Sequence, residues 1–242
     1  MNRLGTYVRT QAKKLPFARR IANYLRGRQI HRRDITLQDC ILGSGYGGWS
    51  VDVSQITPGS IVYSVGVGED ISFDLALIER VGCRIHVFDP TPISVDWMKR
   101  QALPDLLIFH EIGLAATNGE IDFQLPSIKG EHSYSLIPDP ATTNRGIVRC
   151  QVRTLRAIMK DLNHSSIDLI KMDIEGFEYE VLENMMQEKI RPKYILVEFH
   201  HTLYGIKRER TKTLVRKLKE YHYKIYWISE VGLEYGFVDC RT

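Results

Sequence analysis

The chain has 242 residues, 43% hydrophobic, 26% charged and 10% aromatic, a size and balance that suit a globular body with its own core. That composition argues against wholesale disorder, a fibrous repeat or a disulfide-rich miniprotein, and no run of about 18 apolar residues suggests a membrane-spanning helix. The net charge is +4, but ten of the 33 basic residues lie at or before Arg33 and all 29 acidic residues follow it.

Residues 1–33 therefore form a basic arm. Within it Leu4, Val8, Leu15, Ala18, Ala22 and Leu25 recur at helical spacing, with Pro16 breaking or kinking the helix. Such an arm can dock on its own domain or a second subunit. It can also lie on an anionic membrane surface, and nucleic acid is its least favoured partner. It has no apolar core or cleavage site of a secretory signal. Residues 34–60 are a connecting, acceptor-side segment. Its aromatic, Gly-rich stretch Tyr46–Trp49 is either a surface loop or a platform for a sugar ring. Cys40, Cys83, Cys150 and Cys240 are far apart, without C-x-x-C spacing or neighbouring histidines. Reduced thiols in a cytoplasmic protein are expected, with neither zinc nor a disulfide framework. The protein would be peripheral at the inner membrane surface if the arm binds there.

From Ile61 the chain alternates strand and helix patterns, marking residues 61–242 as one domain. Ile61–Val65, Arg84–Phe88 and Leu106–Glu111 are expected strands, separated by helices at Ile71–Val81 and Ser94–Gln101. Ile121–Leu125 and Ile147–Val152 are strands around a long polar connection, where His132-Ser133-Tyr134-Ser135 suits a lid. Thr154–Leu162 is a helix capped by Thr154, and Ile167–Met172 and Tyr194–Phe199 are strands around a helix at Tyr179–Met186. Thr211–Tyr221 is a basic helix. Lys224–Ile228 and Tyr235–Val238, flanking Val231-Gly232, close the chain as a hairpin. Repeated βαβ units predict a mostly parallel sheet with helices on both faces, binding its ligand outside the carboxyl ends of the strands.

The strand ends carry the chemistry. The first enters Ser64-Val65-Gly66-Val67-Gly68-Glu69-Asp70, where two glycines bring backbone close to a ligand. Ile71 stands where a dinucleotide fingerprint needs a third glycine, and Glu69 and Asp70 repel a pyrophosphate, so a cationic or amino-acid-like ligand fits better. The second strand ends in Asp89-Pro90, a carboxylate placed to take ribose hydroxyls or to cap the next helix. Gly113-Leu114-Ala115 is a small-residue turn suited to lie beside an adenine ring. Asp173 and Glu175 end one strand, and Glu198, His200 and His201 end the next, a rim suited to proton chemistry.

These pieces, in this order, resemble the FkbM-type family of S-adenosylmethionine-dependent methyltransferases. The matching segments are Val62-Tyr63-Ser64-Val65-Gly66-Val67-Gly68-Glu69-Asp70, Phe88-Asp89-Pro90-Thr91-Pro92, Ile170-Lys171-Met172-Asp173-Ile174-Glu175-Gly176 and Val197-Glu198-Phe199-His200. Many members carry V-G-A-N-x-G and F-E-P-N-P where this chain has V-G-V-G-E-D and F-D-P-T-P, which marks a divergent branch. The resemblance implies the Rossmann-like class I methyltransferase fold, an α/β seven-stranded sheet with a reversed last strand. It implies S-adenosylmethionine held by Ser64, Gly66, Gly68 and Asp70 at the methionine, by Asp89 and Pro90 at the ribose, and by Gly113 and Leu114 at the adenine. The implied reaction is O-methylation of a sugar, glycan or other small hydroxyl compound.

Such a transfer needs an oriented acceptor and a base for its proton. His200 or Asp173 is the expected base, with Glu198 orienting a histidine and Glu175 binding the acceptor. No metal is assigned, although the carboxylates could alternatively hold a divalent cation that lowers the acceptor pKa. The rival readings are an NAD(P)-dependent Rossmann oxidoreductase and a non-catalytic methyltransferase-like protein acting through its basic arm.

Overall fold

The computed structural model describes residues 30–124, 147–202 and 205–241. The arm's expected helices and the lid at 132–135 lie outside these residues. β1 (Cys40–Leu42) and β2 (Trp49–Val51) form a small antiparallel ribbon. The principal strands are β3 (Ile61–Val65), β4 (Arg84–Phe88), β5 (Leu107–His110), β9 (Leu169–Met172), β10 (Tyr194–Glu198), β11 (Tyr223–Ile228) and β12 (Glu234–Asp239). They form one seven-stranded sheet in the order β11-β12-β10-β9-β3-β4-β5. All neighbours are parallel except at β12, which runs against both β10 and β11. The sheet is the expected α/β arrangement, with the closing hairpin supplying the reversed strand.

The helices are α1 (Ser72–Val81), α2 (Pro92–Met98), α3 (Leu155–Asp161), α4 (Glu178–Gln187) and α5 (Arg208–Glu220). Pro92 opens α2 at a position where its missing N–H costs nothing. The Thr154 hydroxyl caps α3 by accepting from the Ala157 amide at 3.2 Å. Gly82 ends α1 in the left-handed conformation that a C-terminal cap requires.

Strand alternation divides the core into two layers. Tyr63, Val65, Phe88, Ile170, Met172, Ile195 and Val197 pack against α3, α4 and α5. Val62, Ile85, Val87, Leu169 and Leu196 face the other way and pack with Phe73 and Leu77 of α1, Met98 of α2 and Trp49 of the ribbon. Helices thus cover both faces. Among the described residues no helix is long and apolar enough to cross a membrane, and all four cysteines are free thiols.

Gly113-Leu114 corrects one expectation. It is a short strand (β6), not a turn, because it pairs in parallel with β8 (Ile147–Arg153), itself antiparallel to β7 (Gly119–Gln124). The sequence offers only two small or apolar residues there, and the pairing that makes them a strand is long-range.

A cluster of imidazoles lies between β4 and β5. His86 Nδ1 is 3.0 Å from His110 Nε2, the His86 ring is edge-on to His164, and Tyr63 Oη is 2.8 Å from His164 Nδ1. Burial, then the neighbouring imidazoles, lower His86 to about 4, and burial also lowers His110 and His164. A histidine whose folded pKa lies below its unfolded value of 6.5 stabilises fully above 6.5, and the contribution is lost as pH falls towards 4. His86 alone is therefore expected to cost about 2 kcal/mol between pH 7 and pH 5. Urea midpoints at the two pH values check this, and His86→Leu should flatten the acid limb.

Candidate active site

Strands β3, β4 and β5 follow one another to one side of the sheet, while β9 and β10 run to the other. The order therefore reverses between β3 and β9, where the two carboxyl ends open a crevice. At that point the Gly66 backbone lies directly on Asp173. A Cβ added to Gly66 would stand 1.8 Å from the Asp173 carbonyl oxygen, and Gly66 has φ +84°. Only glycine fits there. Gly66 N donates to Phe88 O (3.0 Å) and Asp173 N to Val65 O (3.0 Å), so the glycine turn and the acidic rim form one unit. At Gly68, with φ +55°, a Cβ would meet nothing within 4 Å, so this bend faces open space.

The lysine of the K-x-D-x-E-G segment lies beneath this turn. Lys171, 6% exposed, donates from Nζ to Gly66 O (3.1 Å) and stands 5.6 Å from the centre of the Trp49 ring. Its charge also acts on Asp74, which is fully buried and raised by that burial. The side chain of Ser64, expected at the cofactor, is buried on the side of Asp74, because alternation turns it into the α1 layer. Asp70 accepts from the Ser44 hydroxyl (2.7 Å) and the Ser72 amide (2.7 Å). Burial pushes its carboxyl up, but these bonds and Lys171 outweigh burial and hold it below its ordinary value.

Ser44 lies outside the segments that carry the family resemblance and was not anticipated. The loop between β1 and β2 packs on Asp70 so closely that a Cβ on Gly47 would stand 2.7 Å from the carboxylate. Tyr46 projects from this loop into solvent, 94% exposed. Trp49 is only 3% exposed and lies against Trp227, so Tyr46 alone of this pair is open to a ligand.

Asp89 organises the turn from below. Its Oδ2 accepts from the amides of Val67 (2.9 Å) and Gly68 (3.4 Å), and its Oδ1 from the amide (2.9 Å) and hydroxyl (2.6 Å) of Thr91. A carboxylate has about four acceptor positions, so all are engaged, the one to Gly68 loosely. The Pro90 ring and Val152 crowd Gly113, where a Cβ would come within 2.9 Å of Pro90. Leu114 is buried in the core, which leaves only backbone of this strand to border a ligand.

On the rim, His200 Nε2 lies 3.6 Å from Asp173 Oδ1 and 3.5 Å from Glu175 Oε2. Glu175 reaches this position from a left-handed backbone conformation, φ +50°, uncommon for a residue with a side chain. Glu178, in the first turn of α4 and fully buried, holds the assembly from behind. Its Oε1 accepts from His200 N (2.9 Å) and lies 3.2 Å from His200 Nδ1, and its Oε2 accepts from Gly176 N (2.8 Å). Glu178, not Glu198, therefore orients the histidine. The sequence signal was a second acid two residues after the E-G pair, in E-G-F-E.

Burial alone would lower His200, but the hydrogen bond and charge of Glu178, then Asp173 and Glu175, raise it to about 10. Burial, then the charge of Asp173, raises Glu198 to about 8. His201 is turned away, with Nδ1 3.3 Å from the Thr211 hydroxyl.

The sequence matches the Methyltransferase FkbM domain family over residues 61–225. The chain belongs to this family. Two curated relatives of the FkbM chain are both named "Probable methyltransferase-like protein 24". The rat protein (Rattus norvegicus) is 26% identical over 129 residues and the human protein (Homo sapiens) 25% over 130. Each match covers 53% of this chain and 29% of the relative, so the FkbM chain aligns with under a third of their length. Similar solved structures include the METTL16 MTase domain, at TM-score 0.46 and 11% identity over 76% of this chain and 60% of that one. Another is the Methanococcus jannaschii fibrillarin pre-rRNA processing protein, at TM-score 0.44 and 10% identity over 87% and 86%.

Proposed function

We propose that this FkbM-family chain is an S-adenosylmethionine-dependent O-methyltransferase acting on a hydroxyl of a sugar, glycan or other small molecule. The observation that carries the reading is the contact between Gly66 and Asp173. It sets the open glycine bend, with Asp70 beside it, directly against the rim that can handle a proton. The acids of the bend suit a ligand carrying an ammonium and a sulfonium and oppose a pyrophosphate. Asp89 Oδ2 can exchange its long bond from the Gly68 amide for one from a ribose hydroxyl while keeping that from Val67, and the backbone of Gly113 borders the adenine side.

S-adenosylmethionine supplies an electrophilic methyl group whose bonding electrons stay on sulfur when it leaves. The chain's part is to hold an acceptor hydroxyl at the rim and take its proton. Asp173, 37% exposed, is the proton acceptor. His200, raised to about 10, is protonated at neutral pH, so it positions the acceptor as a donor rather than acting as base. Tyr46 offers an exposed ring on which a sugar can stack.

Calorimetric titration with S-adenosylmethionine and NAD in parallel tests the reading. The wild type is expected to bind the sulfonium nucleoside and not NAD. Asp89→Ala is expected to weaken that binding about 10- to 100-fold, the worth of a hydrogen bond to a charged group. Preferential NAD binding would contradict the proposal.

A further inference from the structure

We propose that Asp173, Glu175 and His200 form a site for one divalent transition cation, of the Mn²⁺ or Zn²⁺ type. One ligand atom from each residue lies within 4.8 Å of the other two. The ligands follow the ends of two adjacent strands, β9 and β10.

The histidine gives the independent indication. His200 is 7% exposed, with Nδ1 directed at Glu178 and Nε2 aimed into the cluster. At 3.5 and 3.6 Å, Nε2 is too far from both carboxylates for an ordinary hydrogen bond of about 2.7–3.2 Å. Two ligands each about 2.1 Å from a shared metal stand roughly 3.0–3.4 Å apart, close to the spacing observed. Metal-bound histidines almost always set their second ring nitrogen on a carboxylate or carbonyl, and Glu178 occupies that place.

Charge favours a cation as well. Asp173 and Glu175 converge here with Glu198 nearby, while Lys171 of the same strand is turned to Gly66 O. A mixed imidazole and carboxylate set suits Mn²⁺, Fe²⁺ or Zn²⁺ better than Mg²⁺ or Ca²⁺. The cation would replace the Nε2 proton. Its role rests on the function proposed above, with Asp173 and His200 serving in the loaded form as ligands in place of base and donor: an acceptor hydroxyl would take an open coordination position and lose its proton to solvent at neutral pH.

The test uses the full chain, stripped with a chelator, dialysed, and titrated with Mn²⁺ while electron paramagnetic resonance follows the free ion. One Mn²⁺ per chain is expected, displaced by Zn²⁺. Asp173→Asn and Glu175→Gln, at partly exposed positions that spare the core, should each weaken binding at least tenfold. Asp122→Asn, at a carboxylate paired with Arg149 on the surface of β7, should leave it unchanged. Absence of stoichiometric binding in the wild type, or undiminished binding in the Asp173→Asn and Glu175→Gln double variant, would overturn the site. S-adenosylhomocysteine titrated into the same samples separates the two claims. Nucleoside binding without Mn²⁺ refutes the metal site alone, and Mn²⁺ binding without the nucleoside supports the site while refuting the methyltransferase reading.

Discussion

Gly66→Ala is expected to destabilise the protein by at least about 3 kcal/mol and to abolish binding of S-adenosylmethionine. The left-handed backbone at φ +84° costs a side chain about 1–2 kcal/mol by itself. The larger part is steric. The new methyl would stand 1.8 Å from the Asp173 carbonyl oxygen, and a main-chain oxygen cannot swing aside as a flexible side chain would. Either β3 or β9 must move, which separates the glycine bend from the rim. Gly68→Ala is the matched control: it has a similar φ but open space around the added methyl, so only about 1 kcal/mol is expected. Urea midpoints of the two variants measure the contrast directly. Equal midpoints would mean that the bend does not lie on Asp173.

Removing the carboxylate behind His200 is expected to be nearly as severe. Glu178→Leu leaves the amides of Gly176 and His200 without their acceptor and the His200 ring without its nearest counter-charge, all in a buried setting. Breaking one partner of such a group costs about 3–5 kcal/mol. Glu178→Gln keeps an oxygen for one amide and should lose about half as much. Chemical denaturation of both variants gives the ranking. Because Glu178 lies behind the rim and not at the glycine bend, nucleoside binding should persist in the glutamine variant. A Glu178→Leu variant as stable as the wild type would show that the carboxylate does not hold the rim.

Much of the sheet was legible because its strands are short apolar runs ended by Gly, Asp or Pro. Ile61–Val65 and Arg84–Phe88 were bounded correctly by residue pattern alone. The ribbon of β1 and β2 was not, since three-residue strands carry no periodicity and owe their form to packing on α1. The rim residues Asp173, Glu175, Glu198 and His200 were visible because charges at the end of an apolar strand are costly unless used. Which carboxylate meets the imidazole was not visible, since Glu178 reaches His200 across the gap between α4 and β10. The same limit hid the bond from Ser44 to Asp70, which joins residues 26 apart.

A crystal structure of the full chain with S-adenosylhomocysteine tests the central claim most directly. The expected density fills the crevice between β3 and β9, with the amino-acid end at the Gly66–Gly68 bend beside Asp70 and the ribose hydroxyls on Asp89. An empty crevice at saturating ligand, or the nucleoside bound elsewhere, would contradict it.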